Sequence, residues 1–299
     1  MINLKFLRLL ACPLCKSSLK LGTNNLKCVN CNQEFLIVGN IPILVAKTSK
    51  HVEIQAKIFN KEFKTYDKYE LENWRISYIR RLFEWLELSP GDNYLDIGVG
   101  GSGYTVIEAS RKNVFSVGID ISFEGIKKAK YFAENELKNS KLCNFAVANA
   151  EYLPFKSKTF SKVSAISVLE HIPNDELVIK EIARIIKPNG KVFISVPNMY
   201  KRINPIFWMP YYIHDKKVGH LRHYKAEDLI EKFSKQGFNI EGVFYTGHFP
   251  KMLQIFLSLI HPKLKNKDSK LWWKFEEMDL KRSSKKSGLQ LTLIFKKVY

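Results

Sequence analysis

Tyr94-Leu-Asp-Ile-Gly-Val-Gly-Gly-Ser-Gly103 decides the fold of this 299-residue chain. A short apolar run ends in an acid, Asp96, and passes at once into a loop holding Gly98, Gly100, Gly101 and Gly103. Glycines directly after a strand let the backbone approach a ligand closely and turn the N-terminus of the next helix toward it. Taken alone, the loop matches a dinucleotide fingerprint, with Asp120 at roughly the right distance downstream to hold a ribose. Asp96 argues against a dinucleotide. A carboxylate before the first glycine would repel a pyrophosphate, and it suits a cofactor with a cationic end.

Outward from this loop the pattern alternates: strand 93–97, helix 104–110, strand 114–119, helix 124–137, strands 145–147 and 162–166, helix 175–186 and strand 191–196. A helix at 226–235 and strands at 239–245 and 289–296 complete the series. Such alternation predicts an open, doubly wound α/β sheet whose ligands lie at the carboxyl ends of its strands. Before it, residues 51–88 carry Ile76, Ile79, Leu82, Phe83 and Leu86 at helical spacing, stopped by Ser89-Pro90-Gly91. One or two amphipathic helices are expected there. Tyr66, Tyr69 and Trp74 are read as packing on the next domain, with a lid as the other option.

A hydrophobic fraction of 45% with 26% charged residues indicates a globular protein. The longest apolar run, 252–260, is far short of the roughly 20 residues of a membrane span. The charged N-terminus does not read as a secretion signal, so a cytoplasmic location is expected. The net charge of +19 is concentrated at the ends, with +6 in residues 1–50 and +11 in 199–299. A basic surface favours anionic partners, although a lysine-rich composition alone also accounts for it.

Four of the five cysteines stand as Cys12-x-x-Cys15 and Cys28-x-x-Cys31. Two such knuckles facing each other close a tetrahedral four-sulfur site, which predicts structural Zn2+ without an open position. The Gly22-Thr-Asn-Asn25 stretch reads as a turn between short strands. A segment of this size has too little core to fold without a staple, and a core separate from the rest is expected for it. Cys143 reads as a small core residue.

The segment from Leu9-Leu-Ala-Cys-Pro-Leu-Cys15 through Cys28-Val-Asn-Cys31 to Gly39-Asn-Ile-Pro-Ile-Leu-Val45 resembles the small zinc-ribbon proteins that activate methyltransferases. That resemblance implies support, not chemistry at the metal. The segment 94–103 in turn resembles the first motif of class I S-adenosylmethionine-dependent methyltransferases. Gly118-Ile-Asp-Ile-Ser122 is similar to their second motif, Asn149-Ala-Glu-Tyr-Leu-Pro-Phe155 to the third, and Val168-Leu-Glu-His-Ile172 to the fourth. The order is that of the methyltransferase type 11 group. It implies a Rossmann-like seven-stranded sheet and S-adenosyl-L-methionine bound by Asp96, Gly98, Gly100, Gly101, Asp120, Ile121, Asn149, Ala150 and Glu151. Asn149 stands where the group usually has aspartate. Its amide oxygen can still accept a hydrogen bond from adenine. The expected organisation is a zinc ribbon at 1–48, a helical linker or lid at 49–90, and a methyltransferase domain at 91–299 with insertions at 199–224 and 247–288.

The first insertion is aromatic and closes on Gly219-His-Leu-Arg-His-Tyr224, which makes it the expected substrate wall. A base is needed only for an unionised acceptor. His171, His220 and Tyr224 are the candidates, and a helix-entry hydrogen bond is the structural reading of His171. The second insertion brings Leu253, Phe256, Leu257 and Ile260 before a run of lysines with Trp272 and Trp273. Peripheral membrane contact and a helix packed on the enzyme or on a twin subunit both fit that pattern. A small or lipid-linked acceptor, such as a quinone precursor, polyprenyl-linked sugar or glycolipid, is the leading expectation. An RNA methyltransferase that grips phosphates with its basic ends is the alternative. The oligomeric state is not readable from the chain.

Overall fold

A computed structural model describes residues 2–138, 140–203, 205, 208–249, 251 and 270–299. Among the described residues the frame is a single sheet of eleven strands, numbered in chain order with the ranges given below, in the order β1-β2-β3-β4-β7-β6-β5-β8-β9-β11-β10. The central strands are β5 (Asn93–Ile97), β6 (Phe115–Asp120), β7 (Cys143–Ala148), β8 (Phe160–Ile166) and β9 (Ile186–Pro197). These five run parallel, while β11 (Gln290–Lys297) is antiparallel to both β9 and β10 (Phe238–Thr246). All six residues of β6 and all six of β7 are buried, as expected for strands covered on both faces. The chain leaves β5 outward to β6 and β7, then returns to β8 on the other side. That reversal opens a crevice at the carboxyl ends of β5 and β8, where ligands bind in such sheets.

Local chemistry sets the helix boundaries. Helix α5 (Phe123–Glu136) starts where the Ser122 hydroxyl accepts the Gly125 N–H, and α6 (Asp175–Ile185) where the Asn174 side chain accepts that of Leu177. Helix α4 (Tyr104–Arg111) begins at Gly103, left-handed at φ +61°, where a Cβ would lie 2.9 Å from that of Ala129. The linker forms two helices, α2 (Lys50–Phe63) and α3 (Asn73–Leu86), and α3 buries Ile79, Leu82, Phe83 and Leu86 as its spacing predicts. Tyr66 and Tyr69 pack against the same apolar cluster, and Cys143 is buried within it.

The first 45 residues extend the main sheet. After α1 (Leu4–Leu9) come β1 (Leu19–Leu21), β2 (Asn25–Cys28), β3 (Glu34–Val38) and β4 (Ile41–Leu44). Strand β4 pairs in parallel with β7, Ile43 opposite Val147 and Leu44 opposite Ala148. Ala11 N–H donates to Pro154 O at 2.9 Å and Lys156 N–H to Leu9 O at 3.0 Å. Lys16 forms a partly buried ion pair with Glu181 at 2.7 Å. Phe6, Leu10, Leu26, Phe35 and Leu44 share one apolar cluster with Val117, Phe155 and Val163 of the central domain. The expectation of a separate N-terminal core is therefore corrected. Loops 10–16 and strand β4 are welded to the sheet because their apolar side chains have no other cover.

Of the second insertion, helix α9 (Lys270–Leu280) is described, with α7 (Trp208–Val218) and α8 (Ala226–Ser234) preceding it in the chain. Glu276 on α9 is buried and accepts from Ser77 and Arg81 of α3, and Lys251 also pairs with it. Trp272 is buried under Lys251, so this tryptophan belongs to the interior and not to a membrane-facing surface. Leu253, Phe256, Leu257 and Ile260 lie outside the described residues. No described helix is long and apolar enough to cross a membrane.

Candidate functional site

A cavity of about 750 Å³, counted to its open mouth, occupies the crevice predicted by the sheet topology. Its floor is made by the ends of β5 to β8: Ile97 and Gly98, Ile119 to Ile121, Ala148 to Ala150, then Ser167 and Val168. Gly98 sits at φ +74°, and a Cβ there would fall 2.2 Å from Val168 Cγ2. Only glycine fits this position, on backbone conformation and on space. Gly100, at φ +64°, donates its N–H to Asp120 Oδ2 at 3.0 Å, and Ser122 N–H reaches Oδ1 at 2.8 Å. The two backbone bonds fix the Asp120 carboxylate at the cavity wall with lone pairs to spare for a ligand. Burial nevertheless pushes its pKa up to about 6, against the pull of those N–H groups.

Asn149 lines the cavity beside Ala150. Its Oδ1 accepts Glu151 N–H at 3.0 Å, and its Nδ2 donates to Lys47 O at 2.9 Å. This orientation leaves one lone pair of Oδ1 for a ligand donor. The linker helix α2 forms the roof, with Val52, Gln55, Phe59 and Phe63 all lining the cavity. These positions follow a helical stripe that the sequence showed, yet the reading of 51–88 rested on the later stripe of α3. Phe63 lies over Gly100, Gly101 and Gly125, each of which would bring a Cβ within 3.4 Å of its ring.

Five expected ligand or catalytic residues do not line the cavity: Asp96, Gly101, Glu151, Tyr224 and His220. Asp96 is buried beneath the floor, where its two oxygens accept from the Ser164 and Thr105 hydroxyls. Burial pushes its pKa up to about 7 in spite of those bonds. Gly101 is pressed against Phe63. Glu151 spends its carboxylate on Asn174 N–H and the Asn149 amide, tying the floor to α6. Tyr224 is 4% exposed, and its hydroxyl donates to Leu169 O and Asp175 Oδ2, at 3.1 and 2.9 Å. Burial, reinforced by Asp175, raises that hydroxyl far above its ordinary pKa, and its two bonds tie it to Leu169 and Asp175.

His171 does line the cavity, its ring between Phe59 at 5.5 Å and His220 at 4.8 Å. His220 stands behind it, with Nδ1 2.7 Å from Asp215 Oδ1. Asp215, on α7, also accepts from Tyr200 and meets His223 Nε2 at 2.7 Å. It is the hub of the first insertion. Sequence reading missed it because it sits in a charged run, His214-Asp-Lys-Lys217, that looks solvated. Glu170, fully buried beside this cluster, has its pKa pushed up to about 8 by burial.

On the opposite edge, the sulfurs of Cys12, Cys15, Cys28 and Cys31 all lie within 4.8 Å of one another. The pairs Cys12–Cys31 and Cys15–Cys28 are 3.6 and 3.4 Å apart, too long for disulfides. Tetrahedral metal–sulfur bonds of about 2.3 Å put sulfurs about 3.8 Å apart, close to what is seen. The two knuckles repeat each other. Cys12 N–H donates to Ser17 O and Cys28 N–H to Gln33 O, and the residues after the knuckles, Lys16 and Asn32, are both left-handed. The donor set and geometry fit a closed structural metal site.

The family model described as "Methyltransferase domain" matches residues 66–243. The ubiquinone biosynthesis O-methyltransferase of Coxiella burnetii is 32% identical over 108 residues, which are 36% of this chain and 44% of that protein. The chain spans about half or less of the length of the curated relatives it matches. Among solved structures, one similar chain comes from the complex between the Haloferax volcanii Trm112 methyltransferase activator and a methyltransferase. It has 15% identity and a TM-score of 0.56, and the match covers 85% of this chain and 100% of that one. Another is the Haemonchus contortus phosphoethanolamine N-methyltransferase 2 in complex with S-adenosyl-L-methionine, with 19% identity, a TM-score of 0.59, and coverage of 86% and 62%. At such identities the two structures support the Rossmann-like fold.

Proposed function

The chain belongs to the methyltransferase-domain family, and we propose that it transfers the methyl group of S-adenosylmethionine to an oxygen of a small or lipid-linked acceptor. The observation that carries this reading is the cavity: a glycine floor that a single Cβ would fill, a fixed carboxylate at Asp120, and one imidazole, His171, at the wall. When bound, S-adenosylmethionine supplies an electrophilic methyl on a sulfonium cation. Gly98 and Gly100 would give it room, Asp120 would take the ribose hydroxyls, and Ile121, Asn149 and Ala150 would flank the adenine. Asp96, below the floor, would favour the cationic end through its negative charge when ionised.

Displacement at a methyl group needs positioning and exclusion of water more than covalent help. The α2 roof serves both, with Phe59 and Phe63 covering the floor. His171, at the cavity wall, would take the proton of an unionised hydroxyl acceptor. The similarity to an enzyme named for O-methylation in ubiquinone biosynthesis supports oxygen as the accepting atom. In the four-cysteine site we read structural zinc, which holds the knuckles while β4 braces the edge of β7. Fused in one chain, this ribbon would supply the support that a separate zinc-ribbon activator gives elsewhere.

The test is transfer of radiolabelled methyl from S-adenosylmethionine into a fractionated extract holding phenols, lipids and RNA. Label in a phenolic or lipid fraction, lost in His171→Ala with S-adenosylmethionine binding retained, is the expected outcome. Label only in RNA would overturn the acceptor class, and no label together with no cofactor binding would overturn the activity.

A further inference from the structure

We propose that Glu170, His171 and His220 form a second metal site, for a divalent transition-metal cation, in the acceptor-side wall of the cavity. One nitrogen of each histidine and one carboxylate oxygen of Glu170 all lie within 4.8 Å of one another. Two imidazoles and a carboxylate are a donor set that zinc, manganese and iron(II) accept, leaving coordination positions open.

Hydrogen bonding orients one ligand in advance. His220 Nδ1 lies 2.7 Å from Asp215 Oδ1, so the Nδ1–H donates to that carboxylate and the Nε2 lone pair faces away from it. Metal-bound histidines are commonly held by a carboxylate in just this manner. Asp215 is itself fixed by Tyr200 and His223. Nε2 then faces Glu170 Oε1 at 4.0 Å, too far for a hydrogen bond. Tetrahedral ligand bonds of about 2.0–2.2 Å hold such donors about 3.4 Å apart, so a cation between the two atoms would draw them together by roughly half an ångström.

Glu170 supplies the second, independent observation. Its side chain is fully buried, and neither carboxylate oxygen has a hydrogen-bond partner of good geometry among the described residues, the Ser167 hydroxyl and its own backbone N–H giving only a pull that burial outweighs. A buried carboxylate in this state is costly unless a proton or a cation meets it, and a cation here would take the proton's place. The other possible triad, Asp215, His220 and His223, is already closed by hydrogen bonds of 2.7 Å and has no need of an ion.

His171 lines the cavity, so an open position on the cation would face the acceptor. There it would bind the acceptor oxygen and lower the pKa of its hydroxyl, whose proton would leave to solvent through the open mouth of the cavity in place of passing to His171. This catalytic use rests on the methyl-transfer reading above, whereas the metal site does not.

Cobalt(II) titration of the full-length protein, produced in cobalt-supplemented medium so that the cysteine site is filled and never emptied, and purified anaerobically, tests the site. Two equivalents should be bound at saturation. One gives the intense sulfur-to-cobalt absorption of the cysteine site, and the other gives only weak visible bands. Glu170→Gln and His220→Ala should each lose the weak-band equivalent and keep the sulfur one. Asp215→Asn should weaken that equivalent by about 10- to 100-fold, as loss of an orienting partner does. The sulfur signal reports folding in every variant. A single equivalent with only the sulfur signature, in the wild type and all variants, overturns the proposal. So does S-adenosylmethionine-dependent transfer at full rate with no second equivalent, which leaves the methyl-transfer reading standing. Two equivalents without any methyl transfer would support the metal site and count against that reading alone.

Discussion

The floor and the roof of the cavity were written into the sequence in different ways. The floor is made by residues adjacent in the chain at the ends of four strands, so its constraints are local: a glycine that cannot carry a Cβ, an acid two residues before a helix cap. The roof is made by α2, which reaches the cavity from more than 30 residues before the end of β5. Its Val52, Gln55, Phe59 and Phe63 read as an ordinary amphipathic stripe, because nothing in a stripe names what it will cover. The lesson is that backbone geometry is legible one residue at a time, whereas packing partners are not.

The ribbon shows the same division. Its knuckles were readable from cysteine spacing alone. The parallel pairing of Ile41–Leu44 with β7 was not, since a four-residue apolar strand has no mark of its neighbour. This shared core gives the largest expected effect. Metal removal, or Cys15→Ser, should unfold the whole chain in one transition, since structural zinc contributes about 10–16 kcal/mol in small modules and a typical domain has about 5–15 in all. Circular dichroism with and without chelator checks this. A surviving second transition that still responds to S-adenosylmethionine would restore the picture of two separate cores.

Gly98→Ala comes next and sharpens the contrast from the floor side. Left-handed backbone and a 2.2 Å contact with Val168 should together cost about 2–4 kcal/mol and weaken cofactor binding at least about 100-fold. Unchanged affinity in this variant would mean that the floor is not where the cofactor lies.

Acidity of the buried floor carboxylates yields a pH-dependent prediction. Asp96 and Asp120 hold protons up to about pH 7 and 6 when folded, whereas unfolded aspartates release them near about 3.9. The folded state therefore binds more protons across that window, and stability should fall as pH rises from about 4 to 7. Cofactor affinity should rise over the same range, because a cation favours the charged carboxylates. Asp96→Asn should flatten the stability slope, raise stability at pH 8 by about 1–3 kcal/mol and weaken cofactor binding. A slope unchanged by this substitution would show that Asp96 is not the titrating group.

The smallest effect is expected at Tyr224, whose hydroxyl is engaged away from the cavity. Tyr224→Phe removes its bonds to Leu169 O and Asp175 and should cost about 1–2 kcal/mol in thermal unfolding. Turnover should stay within a factor of about three. A turnover loss of about 100-fold or more, with stability unaltered, would return this hydroxyl to the chemistry.

Calorimetric titration of S-adenosylmethionine into the wild type and Asp120→Ala tests the central claim most directly. Losing a fixed, buried, charged acceptor should cost about 1.5–3 kcal/mol, about ten- to a hundredfold in affinity. Equal affinity in the two proteins, or a wild type that ignores S-adenosylmethionine and binds a nicotinamide dinucleotide, would contradict it.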